Sequence, residues 1–113
     1  MPGLGGTRFR RLTGRAAGDP AGDARRFQLG LDTLAVLDAH LGEHDWLVGA
    51  GPTIADLSVF AYTHVCEDAG FEPGRYPAVS RWLGRVRALP GFVDDLEPYP
   101  ENARPGKGRS VYD

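Results

Sequence analysis

The sequence predicts an all-α helical bundle, and three observations carry that expectation. Thr53 and Asp56 stand three apart at the head of an apolar run, the spacing of a reciprocal helix cap. Phe27, Leu31, Leu34, Leu37 and Leu41 recur at intervals of three and four, the period of a helix with one apolar stripe. The chain shows no alternation of strand type and no internal repeat. Its 113 residues, 42% of them hydrophobic, can build one core and one compact domain.

Taken in order, residues 1–7 are glycine-rich, and Arg8 to Arg15 offers only Phe9 and Leu12 as large apolar groups, enough for a short helix. Gly18 to Asp23 reads as a turn. The leucine stripe follows as an amphipathic helix capped by Asp23 and stopped by Gly42, with its apolar face turned to the next helix. Burying each such side chain contributes about 1.5 to 3 kcal/mol before entropy, so the stripe needs a partner.

That next helix is expected from Thr53 to Ala69. Thr53 is placed to accept from the Asp56 N–H and Asp56 to accept from the Thr53 N–H, a cap worth about 1 kcal/mol or more when buried. Leu57, Val59, Phe60, Tyr62, Val65 and Cys66 put apolar groups on nearly every side, which predicts a buried central rod. Gly70-Phe71 supplies a left-handed stop. A third helix starts at Pro77, where a missing N–H costs nothing, carries Val79, Trp82, Leu83, Val86 and Leu89 inward, and ends at Pro90-Gly91. Phe92 to Leu96 suits one last helical turn. The organisation is therefore an N-terminal Gly/Arg-rich segment over 1–23, a bundle over 24–97, and a Pro/Gly-rich tail over 98–113 that is too poor in apolar groups to fold by itself.

A formal net charge of −2 gives no global pull toward nucleic acid or an anionic membrane, and neither partner is expected. Arg8, Arg10, Arg11, Arg15, Arg25 and Arg26 form a local basic excess, but Asp19 and Asp23 dilute it and few aromatics interleave with it. A lone cysteine, Cys66, excludes an intrachain disulfide and suits a reducing, cytoplasmic setting, where it is expected to be an inert core thiol. There is no signal-like or membrane-spanning apolar run. His40 and His44 are four apart, but Gly42 between them is expected to end the helix and part the imidazoles, so no metal site is expected.

The ordered set Leu34 to Leu41, His44-Asp45-Trp46-Leu47-Val48-Gly49, Pro52-Thr53-Ile54-Ala55-Asp56, Tyr76-Pro77 with Trp82, and Pro90-Gly91-Phe92 resembles the C-terminal helical domain of a bacterial glutathione transferase. The resemblance spans about Phe9 to Leu96. It implies that Thr53 and Asp56 are structural, not catalytic, and that the family's first long helix of this domain survives only as its end, around Arg8 to Ala16. It also implies a dimer surface and a thioredoxin-like domain elsewhere, which in that family binds glutathione and activates its thiol. By this reading the chain is half of an enzyme, with no catalytic residue and no bound cofactor of its own; glutathione is the co-substrate once the other half is joined.

Glutathione conjugation needs a donor that stabilises thiolate, backbone groups that hold the peptide, and an apolar pocket for the electrophile. Of these only the pocket is expected here, with Phe9, Leu12, Phe92 and Tyr99 as its wall and Arg8 or Arg15 as a positive rim. A second class of function stays open: a stand-alone helical module that binds a protein partner through surfaces left bare by the missing half.

Overall fold

In the computed structural model, residues 2–93 and 98–107 are described, and among them four α-helices and no strand are found. They are α1 (Thr7–Leu12), α2 (Pro20–Glu43), α3 (Ile54–Thr63) and α4 (Pro77–Arg87). A π-helical turn, Pro2–Gly6, leads into α1. The core gathers Leu34 and Leu41 from α2, Phe60 from α3, Cys66, Ala69 and Phe71 from the following turn, and Val79, Trp82, Leu83 and Val86 from α4.

Helix α2 begins earlier and ends later than its sequence signals suggest. Asp19, not Asp23, is the cap: its carboxylate accepts from the Gly22 N–H at 3.1 Å, and Pro20 takes the first helical position. Asp23 lies inside the first turn and pairs with Arg11 at 2.8 Å. Gly42 does not stop the helix, which runs to Glu43 and ends where His44 turns extended. A glycine lowers helix propensity by only about 1 kcal/mol, and the packing of Leu34 and Leu41 outweighs that.

The expected seventeen-residue rod is divided. Helix α3 stops at Thr63, Val65 leaves helical geometry, and a separate 3-10 turn, Cys66–Ala69, follows before Gly70 at φ +90°. At this end Thr63 Oγ1 donates to Val59 O at 2.7 Å, and Phe60 O takes the His64 N–H at 3.0 Å with His64 Nδ1 2.8 Å away. Nor is α3 buried all round. Asp56, Phe60 and Thr63 face the core, while Ile54 is 79% exposed, Leu57 52% and Tyr62 47%. An all-apolar surface reports what a helix can pack against, and among the described residues only one side of it is covered.

Helix α2 packs mainly on α4 and the N-terminal turn rather than on α3. Its Asp38 carboxylate reaches across to the start of α4 and accepts from the Ala78 and Val79 N–H groups at 2.9 and 3.1 Å. Those two donors would otherwise be orphaned, because Tyr76 offers no capping side chain. Helix α4 is thus capped by its neighbour, and the α2–α4 crossing is set by an electrostatic contact with the positive helix end. The Pro90-Gly91 stop falls just beyond the observed end at Arg87, with Gly91 at φ +81°. The proposed turn at Phe92 to Leu96 lies largely outside the described residues.

The glycine-rich N-terminus is part of the core. Leu4 and Thr7 are buried, and Gly3 lies backbone to backbone on Gly30 of α2, so close that a Cβ on Gly3 would stand 2.5 Å from the Gly30 nitrogen. On Gly30 a Cβ would stand 2.2 Å from the Phe71 ring, which is itself stacked on Phe27 at 4.6 Å. Gly84 in α4 has nothing within 4 Å. Two Gly→Ala substitutions in helices should therefore act with opposite signs. Gly30→Ala is expected to lose about 1 to 3 kcal/mol by overpacking, and Gly84→Ala to gain up to about 1 kcal/mol from helix propensity. Thermal melts of the two variants check this; equal shifts would contradict the Gly3–Gly30 approach.

Candidate functional site

The residues singled out from the sequence sort into a structural centre and a surface cleft. The structural centre is Asp56, fully buried at the start of α3. Its Oδ2 accepts from the Thr53 N–H at 2.9 Å, and Thr53 Oγ1 in turn accepts from the Ala55 N–H at 3.2 Å, so cap and residue hold one another. Its Oδ1 accepts from the Leu47 N–H at 3.0 Å and from the Trp82 indole N–H at 2.9 Å. Burial by itself pushes the Asp56 carboxyl up; the donors from Leu47, Thr53 and Trp82 together outweigh it and leave the group below its ordinary value. Asp56 is therefore a buried anion that holds a helix start, a loop and a core tryptophan together, and every acceptor oxygen it has is engaged in structure.

The cleft lies between α1 and the tail and has a volume of about 380 Å³. Three of the six expected wall and rim residues meet there: Arg8, Leu12 and Tyr99. Phe9 stands behind them, its ring edge-on to Tyr99 at 5.2 Å, and Arg15 lies over the Phe9 ring at 5.0 Å. Phe92 is not part of it. Its ring packs edge-on against Phe60 at 5.4 Å, on the core side.

The sequence reading missed Thr13, Asp68, Pro98, Pro100 and Arg104, which complete the lining. Asp68 is sixty residues from Arg8 and pairs with its Nε at 3.0 Å. The tail docks: the Arg15 guanidinium donates to the Ala103 carbonyl, Ala103 is buried, and a 3-10 turn, Glu101–Ala103, presents Arg104 to the cleft. Contacts between distant parts of the chain, Arg15 to Ala103 and Phe9 to Tyr99 among them, make this arrangement, and no local pattern announces it.

The other candidates resolve into structure. Arg11 pairs with Asp23, donates to Ala69 O and lies 4.8 Å over Phe27, while Arg10 and Arg26 approach Asp19 at 3.9 and 3.5 Å. The Gly22 N–H, with Arg26 and Arg10 behind it, holds Asp19 below the usual carboxylate range, and the Arg11 hydrogen bond does the same for Asp23. The basic excess is thus largely met by the chain's own acids. His40 and His44 do share a face, because the helix continues past Gly42: their rings stack at 4.4 Å. Both are occupied with backbone, His40 Nε2 at Leu47 O and His44 Nδ1 at His40 O, each at 3.1 Å. Among the described residues no group of three or more His, Cys, Asp or Glu is arranged to hold a metal. Burial pushes the Cys66 thiol up, with Glu67 adding to it, which keeps the sulfur protonated and unreactive. No described helix is long and apolar enough to cross a membrane.

A reciprocal cap on α3, a tryptophan on the cap carboxylate and a cleft beside the tail belong to an all-α helical domain. Residues 20–85 match the family model for the C-terminal domain of glutathione S-transferase, and the chain belongs to that family. Among solved structures it is similar to a glutathione S-transferase from Xanthobacter autotrophicus Py2, at 42% identity and a TM-score of 0.77 over 81% of this chain and 45% of that one. A glutathione S-transferase from Pseudomonas fluorescens Pf-5 matches at 32% identity and 0.76, over 81% and 46%. A possible glutathione S-transferase from Rhodopseudomonas palustris matches at 28% identity and 0.66, over 99% and 52%. The chain spans about half the length of these relatives.

Removing the Asp56 carboxylate strands the Trp82 indole N–H and the Leu47 N–H in the interior as well as undoing the cap. Asp56→Ala is therefore expected to cost about 3 to 5 kcal/mol, well beyond the roughly 1 kcal/mol of a surface cap. Because the folded carboxyl titrates below its ordinary value of 3.8, its stabilisation is fully present above that value and is lost as pH falls through the folded pKa. In denaturant titrations from pH 7 down to pH 2, the stability gap between wild type and Asp56→Asn should hold steady to about pH 5 and then close. A gap that widens toward acid would contradict the assignment.

Proposed function

We propose that this domain supplies the electrophile-binding wall and the dimer surface of a glutathione transferase, and that glutathione and the group activating its thiol are held by a separate thioredoxin-like half. The observation that carries this is the cleft, where Leu12 and Tyr99 offer an apolar wall beside the cationic Arg8. The relatives' names support the activity, and the length match supports a division of labour between two halves. The chemistry agrees: the one thiol, Cys66, is buried and held protonated, so it cannot take the nucleophile's part.

The surface for the missing contacts is the bare apolar side of α2 and α3. Leu29 and Val36 on α2 stand exposed beside Val59, around an apolar groove of about 390 Å³, and Ile54, Leu57 and Tyr62 continue the apolar surface of α3. Such a surface is expected to be covered, by the second half, by a second copy or by both. The same surface favours the other reading, a stand-alone module that binds a protein partner, and a well-behaved monomer in sedimentation would remove it. A cytoplasmic location goes with either, as a lone reduced thiol suits that compartment.

The purified chain, assayed with glutathione and an aryl halide, is expected to give no conjugation above background. Fused behind the remaining half of the Xanthobacter enzyme, it should restore turnover at least 100-fold. Turnover by the chain alone that survives active-site titration against contaminants would overturn the proposal, and so would a folded but inactive fusion.

A further inference from the structure

We infer that the cleft selects flat apolar molecules carrying an anionic group, a carboxylate or a sulfonate, rather than neutral ones. The inference rests on the reading of the cleft as an electrophile or ligand wall and adds the charge it prefers.

Part of the lining is apolar. Pro98, Tyr99 and Pro100 present consecutive ring surfaces from the tail, and Leu12, 39% exposed, faces them from α1. A volume of about 380 Å³ lies at the small end of ligand pockets, the size for one or two fused rings.

The charges of the lining are not balanced. Arg8 is held by Asp68 at 3.0 Å and lies 5.5 Å over the Tyr99 ring, so this cation and this acid largely cancel. Arg104 also lines the cleft, and its side chain forms no ion pair among the described residues. It is not a loose surface arginine by position. Its backbone N–H donates to Glu101 O at 3.0 Å, and the residue before it, Ala103, is buried and tethered to Arg15. A guanidinium on an anchored stretch of backbone thus lines the cleft beside Tyr99 and two prolines. A ligand anion seated on the wall meets the Arg104 fork in a charge-assisted hydrogen bond, while a neutral ligand of the same shape gains only the apolar contact. The Asp68 carboxylate opposes an anion on the Arg8 side, which directs the charged group toward Arg104.

The test uses the full chain and two probes of one shape, 2-naphthoate and neutral 2-naphthylmethanol, followed by calorimetry and by NMR shifts of Leu12 and Tyr99 at low ionic strength. Naphthoate is expected to bind about tenfold more tightly. Arg104→Gln should bring it down to the affinity of the alcohol, Arg104→Lys should keep most of the preference, and neither exposed substitution should move the thermal midpoint. Equal affinities for the two probes, or a preference that survives Arg104→Gln, would overturn the charge selection and leave the apolar cleft standing. If neither probe shifts Leu12 or Tyr99, the cleft reading falls and the inference with it.

Discussion

A carboxylate with no exposure to water sits where three segments of this protein meet, and the fold depends on how that charge is satisfied. Asp56 takes hydrogen bonds from the Thr53 and Leu47 N–H groups and from the Trp82 indole. A buried anion without such donors would be strongly destabilising. With them it becomes a directional tie, and direction is what apolar packing lacks. It fixes the start of α3, the return of the loop from α2, and the face that Trp82 turns to Phe60, whose rings stand 6.2 Å apart. Phe92 then closes on Phe60 from the far side.

A second carboxylate does comparable work at the other crossing. Asp38 caps α4 from α2, as Asp56 caps α3 from within. Both acids act on helix N-termini, where backbone N–H groups are unsatisfied and the dipole favours negative charge. The bundle is thus oriented by two anions and filled by aromatic and aliphatic groups, with Gly3 on Gly30 allowing the N-terminal turn to come within backbone distance of α2.

What could be read from the sequence follows the range of the interaction. The Thr53/Asp56 box, Pro77 at a helix start and the left-handed Gly70 are solved within a few residues, and each was legible. The capping role of Asp38 has no local signal, because its partners lie forty residues away. The break at Thr63 lies inside a run that holds no glycine or proline to mark it. In the cleft, Arg8, Leu12 and Tyr99 were legible as a cationic and apolar set. Asp68 and Arg104 are not, since the packing of the Cys66–Ala69 turn on α1 brings the first there and the docked tail the second, while Phe92 lies against Phe60 and not in this lining. The exposed side of α3 is the most instructive case: apolar groups on nearly every side predict a fully buried rod, and among the described residues only one side of it is covered.

The most direct test of the Asp56 tie is hydrogen exchange at the two indole N–H groups, followed by NMR in the intact chain. The Trp82 proton, bonded to Asp56 inside the core, is expected to exchange only through global opening, at the rate of the slowest helical amides, while the half-buried Trp46 exchanges far faster. A Trp82 indole that exchanges as fast as that of Trp46 would contradict the account.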